Sequence, residues 1–149
     1  SKREVEINII LDPNKDAFAR EKNGIPNREV AYELVKKSDG KISIRWYDTK
    51  GEQFHTKLLI ITKSSGEIII YGGSSNYTKR NLADLNLETV LKISSSNETN
   101  ISKEVLIYFN RIWNNQGANY TSDFEAYKDT SKLKQLIYRF QEFSGFSSF

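Results

Sequence analysis

Val5-Glu6-Ile7-Asn8-Ile9-Ile10-Leu11 alternates apolar and polar, then turns wholly apolar. That pattern predicts a strand that becomes buried. Asp12-Pro13-Asn14-Lys15 ends it, and a polar loop over 12–26 closes on Gly24-Ile25-Pro26. Asn27 is placed to cap a helix running to Lys37, with Val30, Leu34 and Val35 inward. After the Asp39-Gly40 turn, residues 41–47 alternate as a strand, and 48–53 form a loop. Residues 54–62 and 67–72 are two β-branched runs separated by Lys63-Ser64-Ser65-Gly66, which reads as a hairpin. A short helical segment is expected over 77–83, a strand over 85–93 and a polar loop over 94–100. Helix periodicity then returns twice. Ile101, Val105, Tyr108, Phe109, Ile112 and Trp113 form one stripe in a helix over 101–115. Leu133, Leu136, Ile137, Phe140 and Phe143 form another over 131–143, also read as inward. The tail, Gly145-Phe146-Ser147-Ser148-Phe149, is short and aromatic.

Strands and helices interleaved in this way define an α/β class, with a mixed β-sheet flanked by helices. The length, 149 residues, suits one domain over 1–149 with a real core. A hydrophobic content of 38% puts the chain among folded globules and excludes a disordered one. The net charge of +3 tilts the chain toward anionic partners, but it is too small to diagnose a nucleic-acid binder. With no cysteine, disulfides and thiol chemistry are excluded. No apolar run approaches the ~18 residues that span a bilayer, and no signal peptide is visible. The chain also lacks methionine and opens on Ser1-Lys2-Arg3, so we expect the native N-terminus to lie elsewhere.

The candidate chemistry centres on the single histidine. His55 and Lys57 alternate on one expected strand and so share a face. Gly72 and Gly73 end the hairpin and let a ligand approach the backbone. Ser74 and Asn76 follow, and Asn86 and Glu88 share a face of the next strand. Three consecutive strands thus offer polar groups at comparable positions, as one pocket at a sheet edge would require. An imidazole can attack phosphorus. A carboxylate such as Glu88 fixes its tautomer and steadies the imidazolium. A lysine and hydrogen-bond donors hold the non-bridging oxygens. That chemistry needs no cofactor, and a histidine without an HxxxH or cysteine partner offers no metal site. Each residue also has a plainer reading. Lys57 alone is a solvated charge, Gly72-Gly73 a hairpin end, and Asn86 and Glu88 the exposed face of an edge strand. Asp12, Asn14 and Lys15, where the first strand ends, are weaker candidates for substrate contact, since turn formation explains them equally. Lys79-Arg80 fits a solvated helix end better than a phosphate site. Phe146 and Phe149 fit either a frayed tail or a contact with lipid or another domain.

In order, His55-x-Lys57, Gly73-Ser74-x-Asn76 and Asn86-x-Glu88 resemble the signature of the phospholipase D superfamily. ILDPNKDAF (10–18) and IRWYDTKGEQFHTK (44–57) resemble the segments leading to that motif in bacterial phospholipase D-like and cardiolipin-synthase-like proteins. YFNRIWNN (108–115) resembles the helix after it, and the likeness is weakest after Gln116. Where the family usually has an aspartate, five residues after the lysine, this chain has Thr62. The resemblance implies an α-β-α sandwich, here without its first strand and helix. It assigns His55, Lys57 and Glu88 to catalysis and Ser74 and Asn76 to phosphate binding, with Gly73 and Asn86 in support.

It also implies a partner motif. Family members bring two copies together, one histidine attacking phosphorus while its mate protonates the leaving alcohol. One histidine makes half a site. The expected architecture is therefore the C-terminal half of a two-motif protein, with a homodimer mate as the other way to complete the site. The implied activity is hydrolysis or transfer at a phospholipid phosphodiester, through a phosphohistidine. A homodimeric endonuclease acting on nucleic acid and a non-catalytic half-domain are the alternatives. The compartment is left open; a membrane surface and secretion from a bacterium both fit.

Overall fold

The computed structural model describes residues 5–17, 20, 21, 23–78, 81 and 87–144. The fold is α/β, and the described residues divide into two compact units, one formed by those up to 54 together with 111–144 and the other by those from 55 to 110.

The first unit is built on β1 (Ile7–Leu11), a small hairpin of β2 (Asp16–Ala17) and β3 (Arg20–Glu21), α1 (Asn27–Lys37) and β4 (Ile42–Tyr47). β1 pairs in parallel with β4, Ile7 opposite Ile42 and Leu11 opposite Trp46. The expected burial of β1 is only partial. It is an edge strand, its residues are half-buried, and Ile7 is exposed. β4 alternates as its sequence demands, sending Ile44 and Trp46 inward. With Ala31 of α1 they form the core, and Ile9, Leu11, Leu34, Val35, Phe124 and Tyr127 pack around it. Trp46 is fully buried, and its Nε1 donates to the Phe124 carbonyl at 2.8 Å, which removes the cost of sealing an indole N–H in hydrocarbon.

Asn27 does not cap α1. It is the first helical residue, after Pro26, and its amide donates to the Asp12 carbonyl at 2.9 Å. The helix start is thus tied to the loop before it instead of closing on its own N–H groups. Glu29, in the first turn, is 1% exposed, and neither carboxylate oxygen has a side-chain partner among the described residues. Burial raises its pKa above the ordinary 4.5, opposed first by its own backbone N–H; Asp129 adds to the rise, while Lys134 and Arg28 oppose it.

The unit is completed by β8 (Thr121–Asp123), a short 3₁₀ turn over 124–126 and α3 (Lys132–Ser144). β8 runs antiparallel to β4. Asn115, at φ +54°, accepts the N–H groups of Tyr120 and Thr121 at 2.8 Å each, so one side chain shapes the entry to this strand. α3 departs from expectation. Lys134 donates to the Asn23 carbonyl at 2.9 Å and pairs with Asp129 at 2.6 Å, and Arg139 pairs with Glu33 of α1 at 2.8 Å. The helix is held by its polar side. Leu133, Leu136, Ile137, Phe140 and Phe143, expected inward, are 40–91% exposed.

The second unit holds an antiparallel sheet of β5 (Leu58–Thr62), β6 (Glu67–Gly73) and β7 (Val90–Ser96), in that order. The Lys63–Gly66 turn joins the first two as expected, with Gly66 at φ +83° and its N–H on the Lys63 carbonyl at 3.0 Å. Ile68 and Ile70 are buried on one face. α2 (Asn100–Trp113) follows β7 and buries Ser102, whose hydroxyl meets that of Ser95 at 2.7 Å. Ile112 of its stripe is buried, while Ile101 at its start is exposed. The helix expected over 77–83 and the start of the next strand fall mostly outside the described residues, as do Lys79, Arg80, Asn86, Phe146 and Phe149.

Candidate functional site

β5 begins, β6 ends and β7 begins at the same end of the second unit's sheet, where Leu58, Gly72 and Leu91 lie side by side. Lys57, Ser74 and Glu88 gather there, just beyond the ladder. His55 and Lys57 precede β5 and do not lie on it, a correction to the expected strand over 54–62. The reason is in the pairing: the last contact on that side is a long one, Gly73 N–H to the Lys57 carbonyl at 3.4 Å. Glu88 likewise precedes β7, where a strand over 85–93 was expected.

Gly73 sets the geometry. A Cβ there would stand 2.0 Å from the Thr89 carbonyl oxygen, whereas one at Gly72 would meet nothing closer than 4.0 Å. Because Gly73 lets the chains approach, Ser74 N–H reaches the Thr89 carbonyl at 3.0 Å and Thr89 N–H reaches Ser74 Oγ at 3.1 Å. Ser74 Oγ in turn donates to Glu88 Oε2 at 2.6 Å, and Asn81 Nδ2 donates to Oε1 at 3.2 Å. Both Glu88 oxygens are therefore fixed. Asn81, 8% exposed, was not foreseen as a site residue; its type and its position seven residues before Glu88 carry no motif that points to it.

Lys57 is half-buried, and its ammonium donates to the His55 carbonyl at 2.9 Å. Desolvation draws its pKa below the ordinary 10.5, and the Glu88 carboxylate pulls in the opposite direction. A cation stripped of part of its water shell attracts an anion more strongly than a solvated one. Beside it lies a cleft of about 300 Å³, lined by Lys57, Leu59, Tyr71, Ser75, Tyr77 and Val90 with the two glycines. Tyr77 is partly desolvated there, which pushes its phenol upward. His55 is exposed, and its imidazole has no hydrogen-bond partner among the described residues. Asn76 is exposed, with its carbonyl accepting from Thr78 N–H at 2.8 Å. Thr62, at the aspartate position, is a ladder residue of β5 opposite Ile68.

The weaker candidates belong to the first unit. Asp12 Oδ1 accepts Asn14 N–H at 2.6 Å and Oδ2 accepts Phe54 N–H at 2.7 Å. Asn14, at φ +46°, donates to the Ile25 carbonyl at 3.0 Å, and Lys15 is exposed. Asp12 and Asn14 thus organise their own loop.

This sheet end sets a partly desolvated lysine near a carboxylate held by Ser74 and Asn81, with an exposed histidine two residues before the lysine. The chain belongs to the cardiolipin synthase, phospholipase D-like domain family, whose model matches residues 1–113. No curated protein and no solved structure matches it. Membership places the protein among the phosphodiesterases and phosphotransferases of the phospholipase D superfamily.

Proposed function

We propose that the protein is a phospholipase D-like phosphodiesterase or phosphatidyltransferase acting on a phospholipid through a phosphohistidine. The observation that carries this reading is the meeting of Lys57, Ser74 and Glu88 at one sheet end, two residues from an accessible imidazole. In the first step an imidazole nitrogen attacks phosphorus. The P–N bond forms, the P–O bond to the leaving alcohol breaks, and a second histidine gives that alcohol its proton. In the second step water or another alcohol attacks phosphorus, the P–N bond breaks, and the second histidine takes back a proton. His55 fills one of the two histidine roles. Its mate comes from a second motif, on another segment or another copy, because this sequence has one histidine.

Lys57 neutralises the non-bridging oxygens, with Ser74 and Asn76 as further contacts. Glu88 sets the Ser74 hydroxyl and supplies the negative charge that steadies an imidazolium. Residues 1–149 act as a single functional domain, the C-terminal half of the two-motif assembly. Family membership and the apolar cleft beside Lys57 favour a lipid alcohol over a nucleotide. The test is turnover of phosphatidylcholine, phosphatidylglycerol and single-stranded DNA by the assembly that holds both motifs, with alkaline-quenched trapping of ³²P-phosphohistidine, whose P–N bond survives in base. Label on the wild type that vanishes in His55→Ala supports the reading with His55 as nucleophile. Label retained on the second motif's histidine when His55→Ala is introduced into that assembly, with turnover lost, assigns His55 the acid–base role. Cleavage of DNA alone overturns the lipid assignment.

A further inference from the structure

We infer that Asp12 is a positioning residue for His55, acting through the backbone of Phe54. Its carboxylate makes two bonds of different kinds. Oδ1 accepts the N–H of Asn14, two residues on, at 2.6 Å, closing a local turn that an asparagine or serine would serve as well. Oδ2 accepts the N–H of Phe54, 42 residues on, at 2.7 Å. Turn formation has no use for that second bond, which needs a side chain with two acceptor oxygens. Both oxygens are committed within the first unit, which favours holding the chain over contact with substrate. Asp12 is itself held. It follows β1, whose Leu11 pairs with Trp46 of β4, and its carbonyl accepts from Asn27 of α1 at 2.9 Å.

A second anchor grips the same residue by its side chain. The Phe54 ring stacks on that of Tyr47, the last residue of β4, with centroids 4.3 Å apart and planes 11° from parallel. The loop between them is built to return. Asp48 N–H reaches the Tyr120 carbonyl at 2.8 Å, Glu52 N–H reaches the Thr49 carbonyl at 2.7 Å, and Gly51 takes φ +91°. Backbone and ring of Phe54 are therefore both fixed, and His55 is the next residue. Among the described residues no hydrogen bond holds its imidazole. The chain that leads into it sets where the ring starts from, and a reacting group displaced by about 1 Å can lose roughly 10²-fold in rate. The catalytic purpose of this anchor rests on the reading of His55 given above; the anchor itself does not.

The experiment uses the ¹⁵N-labelled 149-residue chain. In the wild type the Phe54 amide should exchange slowly with solvent, and the His55 amide should show the order parameter of rigid backbone, about 0.85. Asp12→Asn keeps an acceptor for the local turn and puts a donating nitrogen in place of the other oxygen. Phe54 exchange should then speed up roughly 10–100-fold, as loss of a bond to a charged acceptor implies. The His55 order parameter should fall below about 0.6, with the amide signals of α1 and β4 kept. Phe54→Leu, which removes the stack and leaves the carboxylate, should lower it too. Asn14→Gly is the control. It removes the bond to the Ile25 carbonyl, suits the φ of +46°, and should leave Phe54 and His55 unmoved. Fast exchange of the wild-type Phe54 amide overturns the inference, as does an unchanged His55 in Asp12→Asn. An equal loss of order in Asn14→Gly also overturns it, by assigning the effect to the loop at large. Turnover of bis(p-nitrophenyl) phosphate by the assembly that holds both motifs reads the consequence. Asp12→Asn should lower kcat about 10–100-fold and keep KM within about twofold, since Lys57 and Ser74 are untouched. An unchanged kcat overturns the positioning role, and a loss wholly in KM overturns it in favour of substrate contact. A wild-type assembly without turnover counts against the catalytic reading alone, and the amide measurements then decide the anchor.

Discussion

Replacing Gly73 by alanine tests the site's architecture without touching its chemistry. The new Cβ would stand 2.0 Å from the Thr89 carbonyl oxygen and 3.0 Å from Val90 Cα. Both are backbone atoms, so no side chain can swing aside, and β6 and β7 must separate at this end by about 1 Å. Two hydrogen bonds span the same gap, Ser74 N–H to the Thr89 carbonyl and Thr89 N–H to Ser74 Oγ. Losing both costs about 2 kcal/mol and overpacking adds about 1–2, for a total of about 3–4 kcal/mol. Gly72→Ala is the matched control: the nearest atoms would lie at 4.0 Å, and the change should move stability by no more than about 1 kcal/mol. Urea unfolding of both variants measures the difference. At a slope of about 2 kcal/mol per molar, Gly73→Ala should lower the midpoint by about 1.5–2 M. Activity should fall with it, since Ser74 and Glu88 lose their register. Equal midpoints for the two alanine variants would refute the argument that this glycine sets the site.

His55→Ala should reduce turnover by roughly 10³-fold or more while leaving the melting temperature unchanged, because the imidazole makes no bond that the fold needs; rate assays and melting curves check this. Asp12→Ala removes the acceptors for Asn14 N–H and Phe54 N–H and should destabilise the first unit by about 1–3 kcal/mol, read by chemical unfolding. Glu29→Gln should stabilise the protein at pH 7 and make little difference at pH 4. The folded pKa of Glu29 lies above the unfolded 4.5, so its penalty is absent below that value and grows as pH rises through the folded one. Urea midpoints of both proteins across pH 4–8 measure this, and a constant difference between them would argue against a charge effect.

Periodicity located the hairpin of β5 and β6, the helices α1, α2 and α3 and the core alternation of β4, since each is a local pattern that repeats over several residues. β8 was not legible: three residues carry no period, and the strand exists because Asn115 shapes its entry and Arg45 donates to Thr121 Oγ1 at 2.8 Å. The α3 stripe was visible as a stripe, but its direction was not. Amphipathic spacing says that five residues share a side and is silent on which side the ion pairs to Glu33 and Asp129 will turn toward the protein. In the site, His55, Lys57, Ser74 and Glu88 stood out by type and spacing. What the spacing could not convey was that they lie past the ladder's end, or that Asn81 completes the carboxylate's bonding.

β5 reads Leu-Leu-Ile-Ile-Thr and forms one border of its sheet, so among the described residues its outer row of amide and carbonyl groups has no partner strand in that sheet. Five uncharged, β-prone residues at such a border would seed fibrils were it not for a lysine at each end, Lys57 before and Lys63 after. The ammonium proposed to hold phosphate therefore doubles as a guard against intermolecular stacking. Alanine at position 57 removes both services at once, and an inactive precipitate would say nothing about chemistry; Lys57→Arg keeps the guard and isolates the catalytic question.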